Sequence, residues 1–171
     1  AYTAVSYAWG NDRPRELIYL DGRAFQVRRN LWSCLYYLSL HAEHEAWKHI
    51  WVDAICINQN DLDEKSEQVP IMGEIYSRAT KVYAWLGEAD RQMNCVFDAL
   101  QEFRDRKREA KFATHFDAAE QLSFYRQLFR DIYQDKAEFN WLRPLYVRPY
   151  WRRVWIVQEL VLAKVVVVCC G

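Results

Sequence analysis

Short apolar runs bounded by turn-forming residues recur along the chain and predict its central sheet. They occupy residues 4–9, 50–57, 82–86 and 165–170. Runs of this length with almost no polar position inside them are typical of strands that are covered on both faces. Because segments with apolar residues at helical spacing separate these runs, the pattern predicts an α/β fold, with a mostly parallel sheet flanked by helices.

Two additions to this sheet are also predicted. Near the amino terminus, two short strands at residues 17–20 and 24–27 flank Asp21-Gly22, a strong signal for a tight β-hairpin. Later in the chain, residues 100–111 are dense in alternating charges and residues 122–133 carry apolar side chains at helical spacing. We therefore expect a small N-terminal β-hairpin and a helical insertion.

The helices are predicted from apolar spacing and from residues that favour helix starts. Asn30 is suited to cap a first helix, and Ser66 to cap a second. Apolar residues at helical spacing predict a further helix within residues 122–133. Pro149 is suited to begin a last helix through residues 150–163, since proline is common in the first turn.

Composition narrows the class of protein. The 171 residues are 51% hydrophobic, which is enough for one buried core, and a single domain over residues 1–171 is expected. The 23 basic residues balance the 23 acidic ones, so no overall charge favours nucleic acid as a partner.

Five cysteines, an odd number, favour reduced thiols and a cytoplasmic location. The apolar runs fall far short of the roughly 20 residues that a membrane span needs. Strands at both ends suggest a domain excised from a longer protein.

The end of the first predicted strand carries side chains suited to a ligand. Ser6, Tyr7, Trp9 and Gly10 lie where open parallel sheets bind ligands, outside the carboxyl ends of the strands. Trp9 offers a ring that stacks on a base, and Gly10 leaves room for a phosphate or ribose. The alternative is that Trp9 belongs to the hydrophobic core.

Asp53 is the charged residue within the second apolar run, residues 50–57. Burying a carboxylate alone is costly, so it must be paired or hydrogen-bonded. Two roles are open for it. Asp53 either forms an ion pair that holds the polar loop containing Asn58 and Gln59, or it contacts a substrate.

Glu159 is the second candidate carboxylate. Trp151, Trp155 and Glu159 are spaced by four residues, so on one helix they share a face. A carboxylate beside two indole rings is partly desolvated and suited to meet a cationic group. The alternative is that Glu159 caps a helix or pairs with Arg152 or Arg153.

Metal and cofactor sites are not expected. His41, His44 and His49 have no cysteine or carboxylate near them at a zinc-binding spacing, so no metal site is predicted. The sequence contains neither of the usual glycine-rich loops that cradle dinucleotides or nucleoside triphosphates, so no cofactor is predicted. Any NAD would therefore be a substrate.

Three segments carry a resemblance to a known family. They are residues 5–10 (VSYAWG), 51–59 (WVDAICINQ) and 151–159 (WRRVWIVQE). In this order they resemble the fungal heterokaryon incompatibility (HET) domain, although the usual acidic-plus-Arg pair appears here as Glu64-Lys65. The resemblance implies a role in allorecognition and fungal innate immunity, in which the domain triggers programmed cell death when unlike individuals fuse.

A more distant similarity is carried by residues 155–160 (WIVQEL), which precede the last predicted strand. This segment is similar to a helix of Toll/interleukin-1 receptor (TIR) domains, which implies a flavodoxin-like sheet. The same similarity implies that the helical insertion spans residues 88–148, which TIR domains lack. Some TIR domains cleave NAD, so the similarity implies a hydrolase (NADase) with Glu159 as its catalytic carboxylate. The substrate-binding residues would then be Ser6, Tyr7, Trp9, Gly10, Asp53, Asn58, Gln59, Arg152 and Trp155.

Two functions remain open from the sequence. The first is an NAD glycohydrolase that depletes NAD, and the second is a non-enzymatic module that signals by self-association or through appended regulatory domains. The two predict different surroundings for Glu159. An enzyme needs this side chain in an open cleft with Ser6 and Trp9, whereas the module allows it to be packed in an ion pair.

Overall fold

The computed structural model describes residues 1–41, 49–111 and 142–171, which fall into two compact units. The first unit comprises Ala1–Glu88 and Arg148–Gly171 and contains the sheet. The second comprises Ala89–Val147. Every residue predicted to belong to the site lies in the first unit.

The first unit contains strands and helices that alternate along most of its length. Its strands are β1 (Thr3–Tyr7), β2 (Arg15–Leu20), β3 (Arg23–Arg28), β4 (Ile50–Trp51), β5 (Lys81–Trp85) and β6 (Val166–Cys169). Its helices are α1 (Arg29–His41), α2 (Asp53–Cys56), α3 (Leu62–Arg78) and α6 (Ile156–Val161), with a 3-10 turn at Pro149–Arg152. The second unit contributes α4 (Arg91–Lys111) and α5 (Arg143–Tyr146).

The central sheet is parallel and has the strand order β4-β1-β5-β6. Counted among the parallel strands alone, this order is 2-1-3-4, the order with which flavodoxin-type sheets begin. The prediction of a parallel sheet flanked by helices is confirmed. In this topology the carboxyl ends of all the strands lie at one edge of the sheet.

The two faces of the sheet bury different residues because side chains alternate along β1. Tyr7 lies in a buried cluster with Leu31 of α1. Ala4 lies in a second cluster with Tyr76 of α3. Ser6 lies two residues after Ala4, so its side chain is directed to the same face as Ala4. It is completely buried.

The predicted β-hairpin is confirmed, with strands that extend further than the sequence pattern indicated. β2 and β3 pair antiparallel around Asp21 and Gly22. Both turn residues have positive φ values, 49° and 77°. This combination is characteristic of the type I′ turn, whose twist matches that of the flanking strands.

The second apolar run, residues 50–57, was predicted as one strand, and this is wrong. Only Ile50–Trp51 pairs with the sheet, and Asp53–Cys56 forms the short helix α2. The carbonyl of Val52 accepts backbone hydrogen bonds that close the helical turn. Asp53 in the first turn complements the positive end of the helix. Apolar character alone does not distinguish a buried strand from a buried turn of helix.

Helix α3 begins earlier than predicted, because Asp61 rather than Ser66 caps it. The carboxylate of Asp61 accepts hydrogen bonds from the backbone N–H groups of Asp63 and Glu64, each at 3.0 Å. Ser66 lies inside the helix, and so does Pro70. The local side-chain cap therefore decides where this helix starts.

Asn30 does not cap α1, contrary to the prediction, since it lies within the helix. Its side-chain amide donates to the carbonyl of Ala8 and accepts a hydrogen bond from the indole N–H of Trp85 at 3.0 Å. Ala8 directly follows β1, and Trp85 is the last residue of β5. Asn30 therefore ties together the carboxyl ends of the two central strands.

Helices α4 and α5 of the second unit lie within the predicted helical insertion, residues 88–148. The carboxylate of Asp90 accepts a hydrogen bond from the backbone N–H of Met93 at 2.8 Å, which supports the start of α4. The helix predicted within residues 122–133 lies outside the described residues, as does His44.

Candidate functional site

A buried polar cluster lies between β1 and α6. Glu159 is 1% exposed, and Ser6 and Tyr150 are 0% exposed. Arg153 donates from Nη1 to Oε2 of Glu159 at 2.9 Å and from Nη2 to Oε1 at 2.7 Å. The Ser6 hydroxyl donates to Oε2 of the same carboxylate. Both carboxylate oxygens of Glu159 are therefore occupied by protein partners.

Tyr150 completes this cluster through the Ser6 hydroxyl, whose oxygen lies 2.6 Å from the Tyr150 hydroxyl. A serine hydroxyl has one proton. Since Ser6 donates that proton to Glu159, Tyr150 must donate to the Ser6 oxygen. The hydrogen bonds thus run in one direction, from Tyr150 through Ser6 to Glu159.

The backbone that builds this cluster is not the continuous helix predicted after Pro149. The 3-10 turn Pro149–Arg152 ends at Arg153, whose backbone is extended (φ −82°, ψ 131°), and α6 follows. This break lets the Arg153 side chain meet Glu159 in the bidentate geometry that guanidinium and carboxylate groups favour.

The prediction that Trp151, Trp155 and Glu159 share one helical face is therefore wrong. Trp151 belongs to the 3-10 turn, ahead of the break. Trp155 is 45% exposed, whereas Glu159 is buried. The spacing of four residues has this meaning only on an unbroken helix.

Burial and the charge of Glu159 set the protonation of Arg153 and of the two tyrosines near it. Burial alone would lower the pKa of Arg153, but the charge and hydrogen bonds of Glu159 raise that pKa above its ordinary value. Burial raises the pKa of Tyr150 to about 12. Burial, and then the charge of Glu159, raise the pKa of Tyr76 as well. At neutral pH the arginine is therefore charged and both phenols are protonated.

Asp53 organises a second cluster at the start of α2. The indole N–H of Trp9 donates to Oδ2 at 2.7 Å, and the backbone N–H of Ala54 donates to Oδ1 at 2.7 Å. The Tyr7 hydroxyl also hydrogen-bonds to the carboxylate. The backbone carbonyl of Asp53 accepts a hydrogen bond from the side-chain amide of Gln59 at 2.9 Å. One residue thus fixes both Trp9 and the loop after α2.

The environment of Asp53 disfavours its charge. Burial raises the pKa of Asp53 above its ordinary value, and the hydrogen bonds from Trp9 and Ala54 and the charge of Arg153 offset only part of this rise. In the described part of the chain, the hydrogen-bond partners of its carboxylate are neutral groups. The carboxylate of Asp53 therefore fixes Trp9 through neutral groups, whereas its backbone carbonyl holds the loop through Gln59.

A cleft of about 390 Å³ opens beside Trp9, between the hairpin and the loop after α2. The guanidinium of Arg28 lies over the Trp9 ring, 4.8 Å from its centroid. Most of the polar side chains that line the cleft come from the hairpin and the loop, namely Arg15, Gln26, Arg28, Asn58, Gln59 and Asn60. The cleft combines aromatic, cationic and carboxamide groups.

The structure divides the predicted site residues among three places. Those that line the cleft are Tyr7, Trp9, Asn58 and Gln59, with Asp53 hydrogen-bonded to Trp9. Those in the buried cluster are Ser6 and Glu159. Gly10 is exposed, and its carbonyl accepts a hydrogen bond from Arg28 at 3.1 Å. Arg152 and Trp155 are exposed and line neither place.

Several residues of these sites were missed from the sequence, among them Arg28 of the cleft and Tyr150 of the buried cluster. A signal for Arg28 was present, because the Asp21-Gly22 turn sets the hairpin register and places Arg15 directly opposite Arg28. Tyr150 carried no comparable signal. Arg153 had been named as one of two alternative partners of Glu159, and the structure identifies it as the partner.

The described residues offer neither a cluster of side chains suited to a metal ion nor a helix suited to crossing a membrane. Across 1–41, 49–111 and 142–171, no three or more His, Cys, Asp and Glu side chains are grouped so as to hold a metal ion. In the same ranges, no helix has the length and apolar character needed to cross a membrane.

Comparison with known proteins assigns the family. The family model for heterokaryon incompatibility protein (HET) matches residues 2–159. The chain belongs to the HET family. Heterokaryon incompatibility protein 6, OR allele, of Neurospora crassa is 34% identical over 196 residues, which cover 100% of this chain and 29% of that relative. This HET domain therefore spans less than a third of the length of that relative. No solved structure gives a significant match.

The three sequence segments of this HET domain meet at the carboxyl ends of the strands. Ser6 of the first segment contacts Glu159 of the third, and Trp9 of the first contacts Asp53 of the second. Arg153 pairs with Glu159, and its charge also offsets part of the rise that burial causes in the pKa of Asp53. The segments that carry the resemblance thus form one connected region.

Proposed function

We propose that this HET domain is a signalling module of heterokaryon incompatibility that triggers cell death by associating with further copies of itself. The observation that carries the proposal is the orientation of α6. This helix directs Glu159 into the protein and directs its valines to solvent. Surface helices of soluble domains normally do the reverse.

The first half of this observation concerns Glu159, which is poorly placed to act on a substrate. Its carboxylate is 1% exposed, and Arg153 and Ser6 occupy its oxygens. It does not line the cleft beside Trp9. A carboxylate that stabilises a developing positive charge must reach the reacting atoms, and Glu159 would have to lose its ion pair first.

The second half concerns the valine stripe, which we define as Val154, Val157 and Val161. These side chains are 84%, 63% and 75% exposed. Val157 and Val161, four residues apart within α6, lie on one face of that helix, and Val154 lies two residues before its first residue. Contiguous exposed apolar surface marks an interaction site in most soluble proteins. The stripe contains no charge, so a second copy of it is a suitable partner, as in the self-complementary interfaces of symmetric dimers.

The family supports the cellular role in this proposal. The chain belongs to the HET family, and its relative from Neurospora crassa is named a heterokaryon incompatibility protein. Cell death as the outcome, and self-association as the way it is reached, are our proposal for this chain.

The valine stripe is tested by Val157→Asp together with Val161→Asp in the protein expressed in a fungal host. We expect the doubly substituted protein to remain folded, to lose concentration-dependent association in analytical ultracentrifugation, and to stop killing cells. The matched control is Leu62→Asp, at an apolar side chain on α3 that is 76% exposed and outside the stripe. Killing by the folded double variant at the wild-type level contradicts the proposal, as does loss of killing in the control.

A second candidate function is TIR-like cleavage of NAD at the nicotinamide–ribose bond. It is favoured by the contact between Ser6 and Glu159, which brings together two residues predicted for that site. The test is nicotinamide release from NAD by the associated wild-type protein, compared with Glu159→Gln. Release that disappears in the folded variant supports cleavage, and absence of release at all protein concentrations leaves the signalling module as the function.

A further inference from the structure

The cleft beside Trp9 occupies the position at which open parallel sheets bind ligands. Trp9 follows β1, Arg28 ends β3, and Gln59 follows α2, so three separate backbone elements form its walls. These elements lie outside the carboxyl ends of β1 and β4. The volume of about 390 Å³ is within the range of small-molecule sites, roughly 300–1,000 Å³.

The walls of the cleft are cationic. Arg15 and Arg28 face each other across the hairpin, and no acidic side chain of the described residues lines the cleft. Asp12, outside the lining, is their shared counter-ion, at 2.6 Å from Arg15 and 3.5 Å from Arg28. One carboxylate does not neutralise two guanidinium groups. The Asp12 side chain is 55% exposed, and an ion pair this exposed is weak enough for an incoming anion to replace it.

The cleft also offers flat surfaces and hydrogen-bonding groups. The Arg28 guanidinium lies over the indole of Trp9, 4.8 Å from its centroid, and Asp53 holds that indole at 2.7 Å. Guanidinium and indole planes both stack on heteroaromatic rings. The side chains of Gln26 and Asn58 bring carboxamides to the walls, and these both donate and accept hydrogen bonds.

We propose that this cleft binds a nucleoside phosphate, with the phosphate held by Arg15 and Arg28 in place of Asp12. The base stacks on the Arg28 guanidinium, which itself lies over the Trp9 ring, and the carboxamides bind the edge of the base and the ribose hydroxyls. Binding of this ligand is a function additional to the proposed signalling role, and it does not require the valine stripe.

The experiment is isothermal titration calorimetry of the purified protein with three probes: adenosine 5′-monophosphate, adenosine and ribose 5-phosphate. We expect the monophosphate to bind at least tenfold more tightly than either fragment, since only it engages both the arginines and the stacking surface. Its affinity is expected to fall as sodium chloride is raised. Equal affinity for ribose 5-phosphate and the monophosphate overturns the proposal.

Arg28→Ala is expected to weaken binding of the monophosphate by at least tenfold. The matched control is Arg23→Ala, at an exposed arginine of the same strand that lies outside the cleft. Arg15→Ala is a second variant if Arg28→Ala fails to fold, as judged by thermal melting. Unchanged binding in a folded Arg28→Ala or Arg15→Ala protein overturns the proposal. The valine-stripe variants are expected to bind normally, so failure of self-association leaves this result interpretable.

Discussion

Asp53 and Glu159 are two buried carboxylates near the same end of the sheet, and they are stabilised in opposite ways. Glu159 forms a bidentate ion pair with Arg153. Asp53 is held by neutral donors, among them the indole of Trp9. The ion pair leaves the oxygens of Glu159 buried and occupied by protein groups. The hydrogen bonds of Asp53 position Trp9, which lines the cleft. Burial of a carboxylate alone is therefore no guide to function, which depends on the partners of the carboxylate.

The largest effect is expected from breaking the ion pair with Arg153→Met. Glu159 would then be a buried carboxylate without a cation, and we expect the free energy of unfolding to fall by about 3–5 kcal/mol. Urea titration followed by tryptophan fluorescence measures this loss. The control is the double variant Arg153→Met with Glu159→Leu, which is expected to regain part of the stability. A double variant less stable than Arg153→Met would contradict this account of Glu159.

A smaller loss is expected for Asp53→Ala, which removes the acceptor of several neutral donors. The indole of Trp9 and the hydroxyl of Tyr7 would lose their partner, at a cost of about 2–3 kcal/mol. Asp53→Asn is the matched control, because its amide oxygen can still accept a hydrogen bond from Trp9. The same urea titration compares the two variants. Equal stability of the alanine and asparagine variants would show that the hydrogen bond from Trp9 does not contribute.

The strands of the sheet could be predicted from the sequence because three of them lie in short runs that are almost entirely apolar. The run that failed as a strand contains Asp53, whose carboxylate accepts a hydrogen bond from the backbone N–H of Ala54 and favours the start of a helix. Local hydrogen bonds of this kind override the apolar pattern. The hairpin was predicted correctly because Asp21-Gly22 specifies its own turn geometry.

The candidate site was harder to predict than the fold. Ser6 and Glu159 were both named, but their contact joins residues 153 positions apart and has no local signature. The proposed face of Trp151, Trp155 and Glu159 failed because the backbone is extended at Arg153. At that break the side chain of Arg153 pairs with Glu159, a contact that helical spacing does not indicate.

Ser6→Ala is expected to have a modest effect, since it removes one hydroxyl from the buried cluster. The Tyr150 hydroxyl would lose its acceptor, and Glu159 would keep Arg153. We expect a loss of about 1–2 kcal/mol in the free energy of unfolding, measured by urea titration. Ser39→Ala, at an exposed hydroxyl on α1, is the control and is expected to change stability little. A loss as large as that of Arg153→Met would contradict the ranking of these partners.

The smallest expected effect concerns how the free energy of unfolding depends on pH. Asp53 contributes to this dependence, and Asp53→Asn is expected to remove that contribution. Its pKa is raised above 3.8 in the folded state, so the folded protein binds this proton more tightly than the unfolded chain does. The stabilisation is complete below the unfolded pKa and is lost as pH rises through the folded pKa. A single proton contributes at most about 1.4 kcal/mol per pH unit. Unfolding free energies of both proteins from acid to neutral pH measure this difference, and identical profiles would contradict it.

The short stretch that contains both Arg153 and Glu159 has an evolutionary consequence. The two members of the ion pair are six positions apart, so recombination rarely separates them and they are inherited together. A mutation of either codon alone leaves a buried charge without its partner, and selection then favours a second mutation at the other codon. Across alleles of this family, the two positions are therefore expected to be retained as a pair or replaced as a pair.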